Sequence, residues 1–159
     1  MAMQIVDSQK VVNLGKPFFN KLGNLMSDMI RDETTVKGQS VHGHKFPPLS
    51  ETYAQRKAAG KFKRQSEASA RANLVLTFDM MQDLQVVRAT RKMVRIGWNA
   101  VESAKIQGNI DMGRPVTLPG KPVSKTVLAM AMGRMNRQVK LNINKYADGN
   151  KMTWEMGKK

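Results

Sequence analysis

Apolar residues recur at Val11, Leu14, Phe18, Leu22, Leu25 and Met29, in steps of three and four. That spacing lays one stripe along a helix and predicts a helical segment over residues 7–33. Asp7 or Ser8 offers a capping oxygen at its start. Pro17 has no amide hydrogen for a helix interior, so the helix either kinks there or begins there, with Pro17 in its first turn. Residues 34–49 read as a loop, punctuated by glycines and by Pro47-Pro48. Ser50 then caps a short helix that Gly60 ends.

Residues 61–72 are small, polar and basic and carry no period, which predicts a long mobile loop. Residues 73–84 predict a short extended segment and then a helical turn. Two runs rich in Val and Ile follow, over 84–90 and 91–98. Val94, Ile96 and Trp98 alternate with Met93, Arg95 and Gly97, giving one apolar and one polar face. The connection at Thr90-Arg91-Lys92 is short, so an antiparallel hairpin is expected. Residues 100–107 predict a brief helix closed by Gly108-Asn109, and 110–122 a Pro- and Gly-broken stretch around a short extended PVTLP. Ser124 caps a last helix over 125–140, with apolar Val127, Leu128, Met130, Ala131 and Met135. From Asn142 the pattern fades, and residues 142–159 are expected to form a tail or arm. The whole predicts one α+β domain over residues 1–141. Its small, mainly antiparallel sheet is packed by the long N-terminal helix and the C-terminal helix, with long loops between.

Composition refines this picture. A chain of 159 residues is long enough for a true core, burying about 70% of the surface it exposes when unfolded. Aromatics are few, at 6%, while methionine is abundant, with 13 residues. Thioether side chains fill irregular gaps and suit surfaces that repack on assembly, although for any single Met a core role is the simpler reading. Met130, Met132 and Met135 on the last helix, with Tyr146 and Trp154 beyond it, are the candidate contacts between subunits.

The absence of cysteine excludes a disulfide framework, a thiolate zinc site and a thiol nucleophile, and fits folding in a reducing cytoplasm. No apolar run approaches the roughly 18 residues of a membrane span. The first residues lack a charged region followed by an apolar stretch, so neither a signal peptide nor a membrane partner is expected.

The formal net charge of +15 promotes binding to polyanions, whether nucleic acid or an acidic protein surface. The densest basic stretch comprises Arg56, Lys57, Lys61, Lys63, Arg64 and Arg71, offset only by Glu67, a net +5 in sixteen residues. It reads equally as a solvated loop and as a contact for DNA phosphates or an acidic partner.

Signs of catalysis are sparse. His42-Gly43-His44 places two potential metal ligands side by side, but a site needs a third, and the neighbourhood is basic; a surface loop is the better reading. There is no serine elbow, His-Glu helix pair or phosphate-binding glycine loop, and the twelve acids are scattered. Neither an enzyme nor a cofactor is therefore expected.

Four segments, in order, resemble the tailed-phage virion morphogenesis family, relatives of head–tail joining and tail-completion proteins. They are GHKFPPLSETYAQRK from Gly43 to Lys57, NLVLTFDMMQDL from Asn73 to Leu84, MVRIGW from Met93 to Trp98, and RPVTLPGKP from Arg114 to Pro122. The resemblance covers roughly residues 10–140, loops excepted. Phe78 stands where the family has Gly, Lys105-Ile106-Gln107-Gly108 replaces its His-Gln-x-Gly, and Val123 stands where an aromatic is usual. The resemblance implies a structural subunit of the virion, assembled in the bacterial cytoplasm. It implies a homo-oligomeric ring of about six copies, seated between head connector and tail, with DNA passing transiently through its lumen. Neck connector, tail terminator and other collar proteins all fit. The rival from a different class is a small basic nucleic-acid-binding protein, against which the sparse aromatics argue.

Overall fold

The computed structural model describes residues 13–62, 70, 79–117 and 120–149, with the backbone alone at 100, 101, 103 and 146–149. Helix α1 spans Gly15–Thr35. Pro17 lies in its first turn, where an amide has no intrahelical partner, so the second reading of that proline holds. Asp7 and Ser8 lie outside the described residues. The N-cap position belongs to Leu14, which makes no side-chain cap bond. The buried face of α1 carries Phe19, Leu22, Gly23, Ser27, Ile30, Glu33 and Thr34. It is rotated from the expected stripe, with Leu22 shared and Phe18, Leu25 and Met29 half-buried at its edges.

The hairpin forms as expected. Strand β1 (Gln85–Ala89) pairs antiparallel with β2 (Val94–Gly97). Val86 faces Ile96 and Arg88 faces Arg95, so Val87 is an extra residue on β1, a bulge that sharpens the local twist. One face of this two-stranded sheet packs on α1, and Val87, Arg88 and Arg95 on the other are exposed. Thr90 closes the turn: its Oγ1 accepts from the amides of Lys92, at 3.2 Å, and Met93, at 3.1 Å.

Helix α2 (Glu51–Ala58) starts after Ser50, which caps it without a side-chain bond, and stops before Gly60, whose φ of +65° only glycine adopts freely. Helix α3 is the single turn Asp79–Gln82, and it buries Met80 and Met81. The extended segment expected before it, and most of the expected basic loop, lie outside the described residues. Helix α4 (Ala100–Asp111) runs through Gly108 and ends just before Gly113 (φ +73°), four residues later than expected. No strand forms over residues 114–117; the Val41 amide donates to the Val116 carbonyl at 3.1 Å and the Arg114 amide to the Asn109 carbonyl at 2.8 Å, and these bonds tie that stretch down. Helix α5 (Lys125–Gly149) begins where expected, with Ser124 Oγ accepting from the Val127 amide at 3.3 Å. It then continues through Gly149, across the first half of the stretch expected as a tail.

Two apolar clusters meet at Met26. The larger joins Ile30, Val41, Met81, Leu84, Ile106 and Val127. The smaller joins Phe19 and Leu22 of α1 to Ala131 of α5, with Ala89 and Val94 of the hairpin against it. The result is the expected α+β fold, with a small antiparallel sheet and the C-terminal helix both laid on the N-terminal helix. Arg31 fixes the joint between α3 and β1. Its Nε donates to the Met81 carbonyl at 2.9 Å and one terminal nitrogen to the Leu84 carbonyl at 3.0 Å. Asp28 holds the other terminal nitrogen at 2.7 Å.

Candidate interaction surfaces

Helix α5 positions most of the predicted subunit contacts, because one turn of a helix separates its faces cleanly. Met130 and Met135 turn inward, half-buried against Phe19, Leu22 and Ala131. Met132 turns outward and is 55% exposed. The Tyr146 side chain and the whole of Trp154 lie outside the described residues. Around Met132 runs a stripe that the sequence reading did not isolate. Leu128, Met132, Val139 and Ile143 follow at steps of four, seven and four residues, an arc about 60° wide at 3.6 residues per turn. Leu128, Met132 and Ile143 are exposed and Val139 is half-buried. Lys125, at the first turn, shares the edge of this arc with Ile143, and the other charged residues of this strongly basic helix fall elsewhere on its circumference.

On the other flank of α5 an open groove of ≈ 280 Å³ runs between it and α1. Phe18, Lys21, Leu22 and Leu25 line one wall, and Arg134, Arg137, Gln138 and Leu141 the other.

The predicted basic stretch is only partly a surface. Arg56 is exposed, with its guanidinium 5.0 Å from the centre of the Phe62 ring, which lies 5.0 Å from that of Tyr53. Lys61 is exposed, but Lys57 is 2% exposed and does not face solvent. Lys63, Arg64 and Arg71 lie outside the described residues. A second basic patch was missed. Arg88, Arg91, Lys92 and Arg95 all lie exposed on the hairpin, and Arg88 stands directly opposite Arg95 in the ladder. None of the four has an ion-pair partner among the described residues. Like charges facing each other across a ladder are unfavourable without a counter-charge. The signal was present in the alternation of residues 85–97, but only the register shows that the two arginines face each other.

The His42-Gly43-His44 segment is a structural turn. Ser40 Oγ accepts from the amides of His42, at 3.3 Å, and His44, at 3.2 Å. His42 Nδ1 lies 2.6 Å from the Pro122 carbonyl; that oxygen only accepts, so Nδ1 carries the proton. Gly43 has φ +81°, and a Cβ there would meet Ser124 Cβ at 3.2 Å. The segment thus seats the loop after α1 against the residues that start α5. Among the described residues no three His, Cys, Asp or Glu side chains gather as metal ligands. The buried carboxylate of Glu33 pairs with Lys37, just past the end of α1, at 3.9 Å, and that of Glu102 with Lys105 of its own helix at 2.8 Å. Among the described residues no helix is long and apolar enough to cross a membrane.

No protein-family model matches this chain, and neither a curated protein nor a solved structure matches it.

Proposed function

We propose that the chain is a structural, non-catalytic subunit of a tailed-phage virion, a neck or tail-completion protein that builds a ring between head connector and tail. The observation that carries the reading is the stripe of Leu128, Met132, Val139 and Ile143. A chain of net charge +15 leaves this stripe largely apolar and uncovered, which supports a surface completed by another subunit. The four sequence segments, which resemble the virion morphogenesis family in the same order, support that place. In a head-to-tail ring, the stripe of one copy meets a different face of the next. The basic stretch around Arg56 and Lys61 then serves an acidic neighbouring ring, which it holds without gripping DNA that must later leave. The test is a phage unable to make this chain. Complete heads and complete tails should accumulate unjoined; particles of normal form and infectivity would overturn the reading.

A second reading, a small basic nucleic-acid-binding protein, is favoured by the hairpin, where Arg88 faces Arg95 without a counter-charge. It requires tight DNA binding by the isolated chain that falls steeply with salt, and a shallower salt slope in an Arg88→Ala, Arg95→Ala variant.

A further inference from the structure

The groove between α1 and α5 is built by two helices that present the same spacing. Phe18, Lys21, Leu22 and Leu25 stand at i, i+3, i+4 and i+7 on α1, and Arg134, Arg137, Gln138 and Leu141 repeat that spacing on α5. The floor is apolar: Leu22 is buried, Phe18 and Leu25 are half-buried, and Leu141 is left 55% exposed at one wall. The rim is cationic. Lys21, Arg134 and Arg137 are exposed, none has an ion-pair partner among the described residues, and no carboxylate lines the groove.

We propose that this groove docks an acidic amphipathic segment of another protein. Bulky apolar side chains of that segment sit on the floor, and its Asp or Glu residues meet Lys21, Arg134 and Arg137. The volume, ≈ 280 Å³, falls just below the roughly 300–1,000 Å³ of clefts that enclose a whole small ligand, so it suits one or two anchoring side chains of a segment laid along it. Charge selects the occupant. A second copy of this chain brings another +15. Its segments outside the described residues bring no net negative charge: 1–12 and 118–119 are neutral, 63–69 and 71–78 each carry a net +1, and 150–159 carries three Lys against one Glu. Nucleic acid would satisfy the rim but offers no flexible apolar side chain for the floor. The groove lies apart from the α5 stripe on the helix circumference, so both can be occupied at once. Only the location of the partner, a neighbouring neck protein, rests on the proposed function; the chemistry of the groove does not.

The test uses the full chain and fluorescent helical peptides. One carries Leu and Phe at i, i+3 and i+7 with Asp and Glu flanks; one has the same composition scrambled; one has the acids replaced by Lys. The acidic amphipathic peptide should bind and shift the methyl resonances of Leu25 and Leu141. Arg134→Glu with Arg137→Glu, both exposed and so compatible with the fold, should weaken it about tenfold and admit the Lys peptide instead. No binding, equal binding of the scrambled peptide, or binding unchanged in the double variant would overturn the proposal. A DNA oligonucleotide that competes at the same two methyl groups would also overturn it, by assigning the groove to nucleic acid. These outcomes are read without any virion, so they separate from failure of the neck reading.

Discussion

Gly23 of α1 lies so close beneath Val94 of β2 that a Cβ built on the glycine would stand 2.5 Å from the valine Cγ2, and 2.6 Å from Cγ2 of Val86. Backbone contact, rather than a large side chain, is what seats the hairpin on the helix. Exchanging a helical Gly for Ala ordinarily stabilises by roughly 0.5–1 kcal/mol. At Gly23 overpacking at about 1–3 kcal/mol outweighs that gain. Gly23→Ala should therefore destabilise the fold in urea unfolding. Gly133→Ala on α5, where a Cβ meets nothing within 4 Å, should stabilise it. Equal stabilisation at both positions would contradict the close approach.

Arg31 ties α1 to the end of α3 and to the residue before β1 through one planar group. Losing it leaves the Met81 and Leu84 carbonyls without those donors. Arg31→Met should cost about 2–3 kcal/mol. Arg31→Lys should recover only part of this, because an ammonium cannot reproduce the fork. Urea midpoints for the two variants check the order, and hydrogen exchange at residues 84–86 should rise first.

Leu22 and Leu25 stood as equals in the sequence, and the fold separates them. Leu22 is 5% exposed and joins the core around Phe19, so Leu22→Ala should cost about 2–5 kcal/mol. Leu25 is half-buried at the groove, and Leu25→Ala should cost less, about 1–2 kcal/mol, since water already reaches it. Thermal or urea unfolding of the pair gives the comparison; equal losses would mean that the groove is closed.

The same helix shows what was legible in the sequence. The hairpin, the α1 and α5 pattern and the start of α5 at Ser124 follow from spacing and capping chemistry, which are local. The buried face of α1 was misplaced because Gly23 and Ser27 sit at its centre, and small or polar residues give no hydrophobic signal. Gly108 carries the sequence signal of a helix end, but it lies in open space inside α4, and Gly113, with positive φ, does the terminating. Residues 142–149 were read as a tail because they are polar, yet no proline interrupts them and α5 continues. The groove could not be read at all, since Lys21 and Arg134 come from opposite ends of the chain and only the packing of α5 on α1 brings them together.

His42 and His44 should matter for stability alone. Removing the His42 bond to Pro122 should cost about 1 kcal/mol. His42→Ala with His44→Ala should leave head–tail joining near normal. Zinc or nickel bound stoichiometrically to the purified chain, and lost in this variant, would contradict that.

The proposed place of this chain is the head–tail junction, as part of a closed ring. Imaging phage particles at a resolution that traces α1 and α5 tests it most directly. A ring of about six identical copies is expected at the junction, with Leu128, Met132 and Ile143 of each copy covered by the next. A particle that lacks the chain, or one that holds a single isolated copy with that stripe open to water, would contradict it.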